Sequence, residues 1–265
     1  AAAPNTLLEN AGLDVIAESE RKGRPRDLFM PWFAANISVL GLSWGAWVLS
    51  FGLNAVQAII AGTIGITFSF FLCGVMAVLG KRGSAPTLAL SRAAFGYNGN
   101  RLSAVISWML TVGWETVLCI LATLASATVL EALGWHNTVG AQIVGFLMTV
   151  GLAASAGILG FDTIMKVQTW ITWATGVLTV IYLILVAGRI DWTALGSLPA
   201  GNAAAFIGAL VMVATGFGLG WVNAAADYSR YLPRSASTVG VVGWTTTGAA
   251  LPCVILIIAG TLLVG

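Results

Sequence analysis

The chain has 265 residues, of which 58% are hydrophobic and only 8% are Asp, Glu, Lys or Arg, with a formal net charge of +2. An average soluble domain has about 25% charged residues, and so few charges could not cover the surface of one; the small net charge also argues against a nucleic-acid partner. Cys73, Cys119 and Cys253 each lie in an apolar run without a CxxC partner, which argues against a disulfide framework or a zinc site.

Residues 1–27 are polar and charged, lack the apolar core of a signal peptide, and read as a cytoplasmic N-terminal segment. Runs of the ~20 apolar residues that cross about 30 Å of hydrocarbon as helix follow at roughly 28–52, 54–80, 102–131, 138–160, 163–188, 203–226 and 239–265. Two connections are longer: 81–101, expected to hold a short surface helix, and the outer loop 189–202. With the N-terminus inside, eleven of the 12 Lys and Arg residues fall on the cytoplasmic side and only Arg189 outside, a strong positive-inside bias. That orientation is opposite to seven-helix receptors, and the last run has no Lys for a retinal Schiff base. The sequence stops at Val264–Gly265 without a polar tail, which reads as a truncated chain.

Polar groups inside a bilayer are costly and are functional candidates by default. In span one, PWFAANISVLGLSWG, Asn36, Ser38, Gly41 and Ser43 interrupt an apolar helix. Span three, SWMLTVGWETVLC, holds Glu115, the one ionisable residue clearly in the middle of a span. Beside it Trp114 shares a helical face with Ser107, Thr111 and Leu118, and Glu115 sits about 100° around the axis. Trp114 reads as a stacking plate for a flat ligand or as packing; Glu115 reads as a proton-carrying group or as one bonded to a neighbouring helix. Span five places Gln168, Thr172, Thr175 and Thr179 on one face, lining a pathway or merely tolerated through bonds to i−4 carbonyls. Lys166 is expected to snorkel to the interface, and His136 to be solvated. In span six, Gly216, Gly218 and Gly220 mark a discontinuity that frees backbone groups, or a GxxxG contact like that of Gly41 and Gly45. Interrupted helices at corresponding places in two repeats are a sequence pointer to a transporter site. HExxH, GxSxG and paired catalytic carboxylates are absent from the spans, so an enzyme is not expected.

WFAAN in span one, FGLN after it, SRAAFGYNGN in the inner loop, GW in span three and W-x5-DYSRYLP closing span six resemble, in order, the nucleobase:cation symporter-1 family of purine, cytosine, allantoin and hydantoin permeases. The resemblance implies an all-α membrane protein: seven helices forming the N-terminal part of a leucine-transporter-type inverted-repeat fold, with helices 1 and 6 discontinuous. The first five-helix repeat would cover 28–188, and the start of the second 203–265. It further implies that the carbonyls of Ala35 and Ser38 coordinate Na+ and that Trp114 stacks on the base. Phe217, Gly218, Gly220 and Trp221 would close the other face of the ring, with Val39, Leu40, Glu115 and Leu118 completing the lining. Hydantoin-type members carry amides where Val39 and Leu118 stand, which counts against a hydantoin. Asp227 and Arg230 are candidate inner-gate residues, or else a surface ion pair. The expected activity is import of a planar nucleobase-like heterocycle, with Na+ or H+ as coupling ion and no other cofactor. The protein would sit in the inner membrane among lipid as a monomer or weak homo-oligomer. Proton coupling through Glu115, a split transporter and a non-transporting sensor or scaffold are the alternatives.

Overall fold

In hydrocarbon each backbone N–H and C=O must find its partner inside the segment, so apolar runs of this length become helices. A computed structural model describes residues 12–158 and 161–264, without the side chains of 156–158 and 161–166; the expectation for Lys166 lies outside these described residues. The helices are α1 (Phe29–Asn36), α2 (Leu40–Leu49), α3 (Ala55–Gly83), α4 (Thr87–Leu90), α5 (Arg92–Ala132), α6 (Thr138–Ile158), α7 (Phe161–Ala187), α8 (Trp192–Ser197), α9 (Ala203–Gly216) and α10 (Thr238–Leu262). Among the described residues six helical stretches are long and apolar enough to cross a membrane, and seven if the bent pair Pro25–Asn36 and Leu40–Leu49 counts as one. These match the seven apolar runs read from the sequence. Within 81–101 lies the short helix α4, but its residues are buried or partly buried rather than on the surface, and helix resumes at Arg92, ten residues before the apolar run, with 92–99 exposed. Polar residues hold the helical conformation there, and Gly96 (φ 68°, ψ 175°) breaks it, a conformation that glycine adopts without steric cost.

By packing, the described residues form two units: residues 12, 91–158 and 161–166 in one, and residues 13–90 with 167–264 in the other. This division is distinct from the five-helix repeat expected over 28–188.

In the larger unit α3 and α10 pack along their lengths, with α2, α1 and α9 against them. Its core includes Trp32, Trp44, Val48, Ile66, Phe70, Val213, Phe217 and Ile257. Small residues set the spacing, as in other membrane helix pairs. A Cβ on Gly45 would fall on the Gly260–Thr261 backbone, and one on Gly260 would fall on Leu42. Hence α2 and α10 touch backbone to backbone, and the Gly41/Gly45 pair is a packing feature. α3 begins with a reciprocal cap: Asn54 Oδ1 accepts from Gln57 N (2.9 Å), and Asn54 N donates to Gln57 Oε1 (3.3 Å). The same Gln57 amide holds the outer loop, bonding Gly201 O (3.0 Å) and Gly201 N (2.8 Å). α3 ends at Ser84 in a left-handed cap, with Lys81 and Arg82 in its last turn, where cations complement the helix dipole. The segment before α1 is docked on this end: Ile16 N donates to Ser84 O (2.9 Å), Lys22 N to Tyr231 O (2.8 Å), and the buried Arg21 guanidinium to Lys81 O.

In the smaller unit α5 and α6 pack side by side. Gly145 lies against Ser126 and the Thr123 backbone, so a glycine again permits the close approach.

Candidate functional site

Span one is broken where the sequence places polar and small residues. α1 ends at Asn36, α2 starts at Leu40, and the axes differ by 72°. Local side chains stabilise the break: Asn36 Nδ2 donates to Trp32 O (2.8 Å), and Ser38 Oγ accepts from Leu40 N (3.3 Å). The first turn of α2 uses the Ser38 carbonyl, which accepts from Gly41 N (2.8 Å), and the Val39 carbonyl, which accepts from Leu42 N (3.0 Å). Among the described residues no backbone N–H beyond the helices' own ladders reaches the Ala35 carbonyl. Of the two proposed cation ligands, then, Ala35 offers a carbonyl freed by the break, and Ser38 offers the second lone pair of one already bonded. That donor chemistry fits a hard cation, which takes oxygen ligands. Val39 is 54% exposed and Leu40 partly so; from α10, Cys253 Sγ rests 3.6 Å from Asn36 Oδ1.

Span six breaks as well. α9 stops at Gly216, Phe217 leaves the helical region (φ −105°, ψ −110°), and residues Gly218–Ala224 continue as 3-10 helix. Gly218 is pressed against the Ser69–Phe70 backbone, and its N–H donates to Ser69 Oγ (3.0 Å). Gly216 lies under the Trp44 ring, whereas Gly220 has more room, so Gly216 and Gly220 do not share one contact. The Phe217 ring is 8% exposed and packs on Trp44 (centroids 4.6 Å) and Phe70 (6.5 Å). Its side chain is taken up by the core, leaving the backbone as what this position can present. Trp221 is partly buried and meets Trp32 edge-on at 5.8 Å; Trp32 in turn meets Tyr228 at 5.5 Å.

Trp32 is the residue the sequence reading missed. It is fully buried one turn before Ala35, and its indole N–H has no hydrogen-bond partner among the described residues. The available signal was a Trp three residues ahead of a predicted break. A buried unbonded N–H is costly, so this one is poised for an acceptor.

The end of span six is a joint. Asp227 Oδ1 accepts from Thr87 N (2.8 Å) and Thr87 Oγ1 (3.0 Å), and Thr87 Oγ1 accepts from Ala226 N (2.8 Å). Ser229 Oγ donates to Ala77 O (2.5 Å). The buried Arg230 guanidinium lies over the Tyr231 ring at 4.8 Å and donates to its hydroxyl (2.6 Å). The DYSRYLP run therefore ties this end to α3 and α4. In span five, Thr172 and Thr179 are buried, Thr172 bonds the Gln168 carbonyl (2.7 Å), and Gln168 bonds the Tyr228 side chain. His136 is exposed.

The remaining candidates lie in the smaller unit on α5. Trp114 is 37% and Leu118 48% exposed, on the face that also carries Ser107 and Thr111. Glu115 lies round the axis and lines an open groove of about 430 Å3 between α5 and α6 with Val112, Thr116, Cys119, Thr123, Gln142 and Phe146. Trp114 and Glu115 thus serve different surfaces of one helix.

Residues 15–264 match the family model described as a permease for cytosine/purines, uracil, thiamine and allantoin. The chain is 28% identical to YxlA of Bacillus subtilis, provisionally named a purine-cytosine permease, over 97% of this chain and 54% of that protein. It is 26% identical to the purine-cytosine permease FCY21 of Saccharomyces cerevisiae, over 95% of this chain and 47% of that one. It therefore spans about half the length of these relatives. Among solved structures, 99% of the chain superposes on 56% of Mhp1, described as a nucleobase-cation-symport-1 family transporter in a closed conformation with bromovinylhydantoin bound. The TM-score is 0.68 at 18% identity, a likeness of fold, here the leucine-transporter type. With nearly its whole length matched, this multi-pass membrane chain belongs to the permease family for cytosine/purines, uracil, thiamine and allantoin, the nucleobase:cation symporter-1 family.

Proposed function

We propose that this chain supplies the first repeat and the start of the second in a secondary transporter that imports a planar nucleobase or related heterocycle with Na+. The observation that carries this reading is the pair of broken helices, α1/α2 and α9 with its 3-10 continuation, within one packed unit. Broken helices present backbone N–H and C=O groups to a ligand at mid-membrane. In this reading the Ala35 and Ser38 carbonyls take the cation. Trp114 stacks on one face of the ring, while the Phe217–Trp221 backbone and the Trp221 indole close the other, with Val39, Leu40 and Leu118 as apolar lining. A cation bound at the helix-one break favours one of the two access states, and the ring's arrival permits passage to the other. Asp227 and Arg230, at the joint with α3 and α4, steady the cytoplasmic end. The N-terminus is cytoplasmic, as the Lys and Arg distribution supports, in a chain placed in the inner membrane.

The substrate class agrees with the names of YxlA and FCY21 as purine-cytosine permeases. The test is Trp114→Ala in the full-length protein. Base–aromatic stacking is worth about 1–3 kcal/mol, so affinity for cytosine, uracil, a purine or allantoin, measured by titration with and without Na+, should fall about 5- to 150-fold. Unchanged affinity and uptake would remove the stacking assignment.

The Glu115 groove favours a second reading, in which protons drive uptake and Glu115 carries them. Uptake that persists without Na+ and is lost in Glu115→Gln supports it; Na+-dependent uptake indifferent to Glu115→Gln discards it.

A further inference from the structure

We propose that the first turns of α5 form a docking surface for the phosphate headgroup of an anionic phospholipid, centred on Arg92, Tyr97 and Arg101. The two guanidinium carbons lie 5.6 Å and 5.3 Å from the centroid of the same Tyr97 ring. They are nine residues apart, and the turn at Gly96 (φ 68°) lets the flanking segments change direction between them. All three side chains are exposed, Tyr97 at 66%, and Phe95 beside them at 59%. Among the described residues neither arginine has a carboxylate partner, and the stretch 92–114 contains no acid. Two like charges have been gathered on one aromatic ring, and no carboxylate among the described residues pairs with either.

Position selects the occupant. The apolar run of span three begins at Leu102, directly after Arg101, so the cluster sits at the level where hydrocarbon gives way to headgroups. Tyr and Phe at that level place a ring in the interface, and guanidinium forks bind phosphate oxygens bidentately. A zwitterionic headgroup also carries a phosphate, but its own cation opposes the arginines. The match in charge is therefore to an anionic lipid. The inference needs only that α5 crosses the membrane. It does not depend on the transported substrate, the coupling ion or the side on which the N-terminus lies.

The experiment is native mass spectrometry of the full-length protein after equilibration with equimolar dioleoyl phosphatidylglycerol and dioleoyl phosphatidylcholine. Wild type should retain phosphatidylglycerol over phosphatidylcholine at least fivefold. Arg92→Gln with Arg101→Gln should bring the ratio near one, and Arg92→Lys with Arg101→Lys should restore part of it. Either single Gln variant serves if the double does not survive purification. Arg24→Gln with Arg26→Gln, two other exposed arginines, should leave the ratio unchanged. Equal retention of both lipids by wild type overturns the proposal. So does a preference that survives the Arg92 and Arg101 changes, or one that falls equally in the Arg24 and Arg26 control. Substrate binding, measured in the same samples, reports separately on the transport reading.

Discussion

Gly218→Ala probes the second helix break where it is tightest. A Cβ at Gly218 would overlap the backbone of Ser69 and Phe70 on α3, which cannot rotate aside as a flexible side chain could. Forcing extra volume into a packed site costs about 1–3 kcal/mol. Parting the segments also lengthens the bond from Gly218 N to Ser69 Oγ, 3.0 Å in the native fold, at a further ~0.5–1.5 kcal/mol. The expected loss is therefore about 2–4 kcal/mol. At roughly 2–4 °C per kcal/mol for a chain of this size, the thermal midpoint should fall about 4–16 °C. The assay is intrinsic fluorescence on heating in detergent, for which the chain's 11 tryptophans give ample signal. Gly243→Ala is the control: it lies on α10 with nothing near the added atom, and should be neutral or slightly stabilising through helix propensity. If Gly218→Ala melts with wild type while the control behaves as stated, the backbone contact between the 3-10 segment and α3 is not there.

Two further changes test the joints that hold the larger unit. Thr87→Val removes the hydroxyl that donates to Asp227 and accepts from Ala226 N. A hydrogen bond to a charged group contributes about 1.5–3 kcal/mol, so a midpoint drop of several degrees should appear, with Thr87→Ser restoring most of it. Asn54→Ala removes the cap of α3 and should cost about 0.5–2 kcal/mol, seen as a lower midpoint and as earlier proteolysis of the loop that Gln57 holds.

Much of the architecture could be read in advance because the bilayer leaves few choices. Long apolar runs with almost no charge inside them have to be helices, and both helix breaks were visible as polar residues and glycines clustered in otherwise apolar stretches. The breaks at Asn36–Leu40 and Gly216–Gly218 fall where those residues stand. The same local signal could not tell which glycines serve conformation and which serve contact. Gly41 and Gly45 lie against α10 at Leu256 and Gly260–Thr261, and Gly216 lies under the Trp44 indole; those partners come from 172 to 216 residues away in the sequence.

The individual site residues divide along the same line. Composition and periodicity determined that the chain is a membrane-embedded helical protein and where its helices are interrupted, because these follow from transfer free energies and backbone pairing within one segment. Only the tertiary packing decided what each marked residue does. It took the Phe217 ring into the core and joined Asp227 to Thr87 on a different segment. It also left the Trp32 indole N–H without a partner among the described residues, and drew Arg92 and Arg101 onto one tyrosine. Such outcomes rest on which distant side chain arrives at van der Waals distance, and no local pattern encodes that.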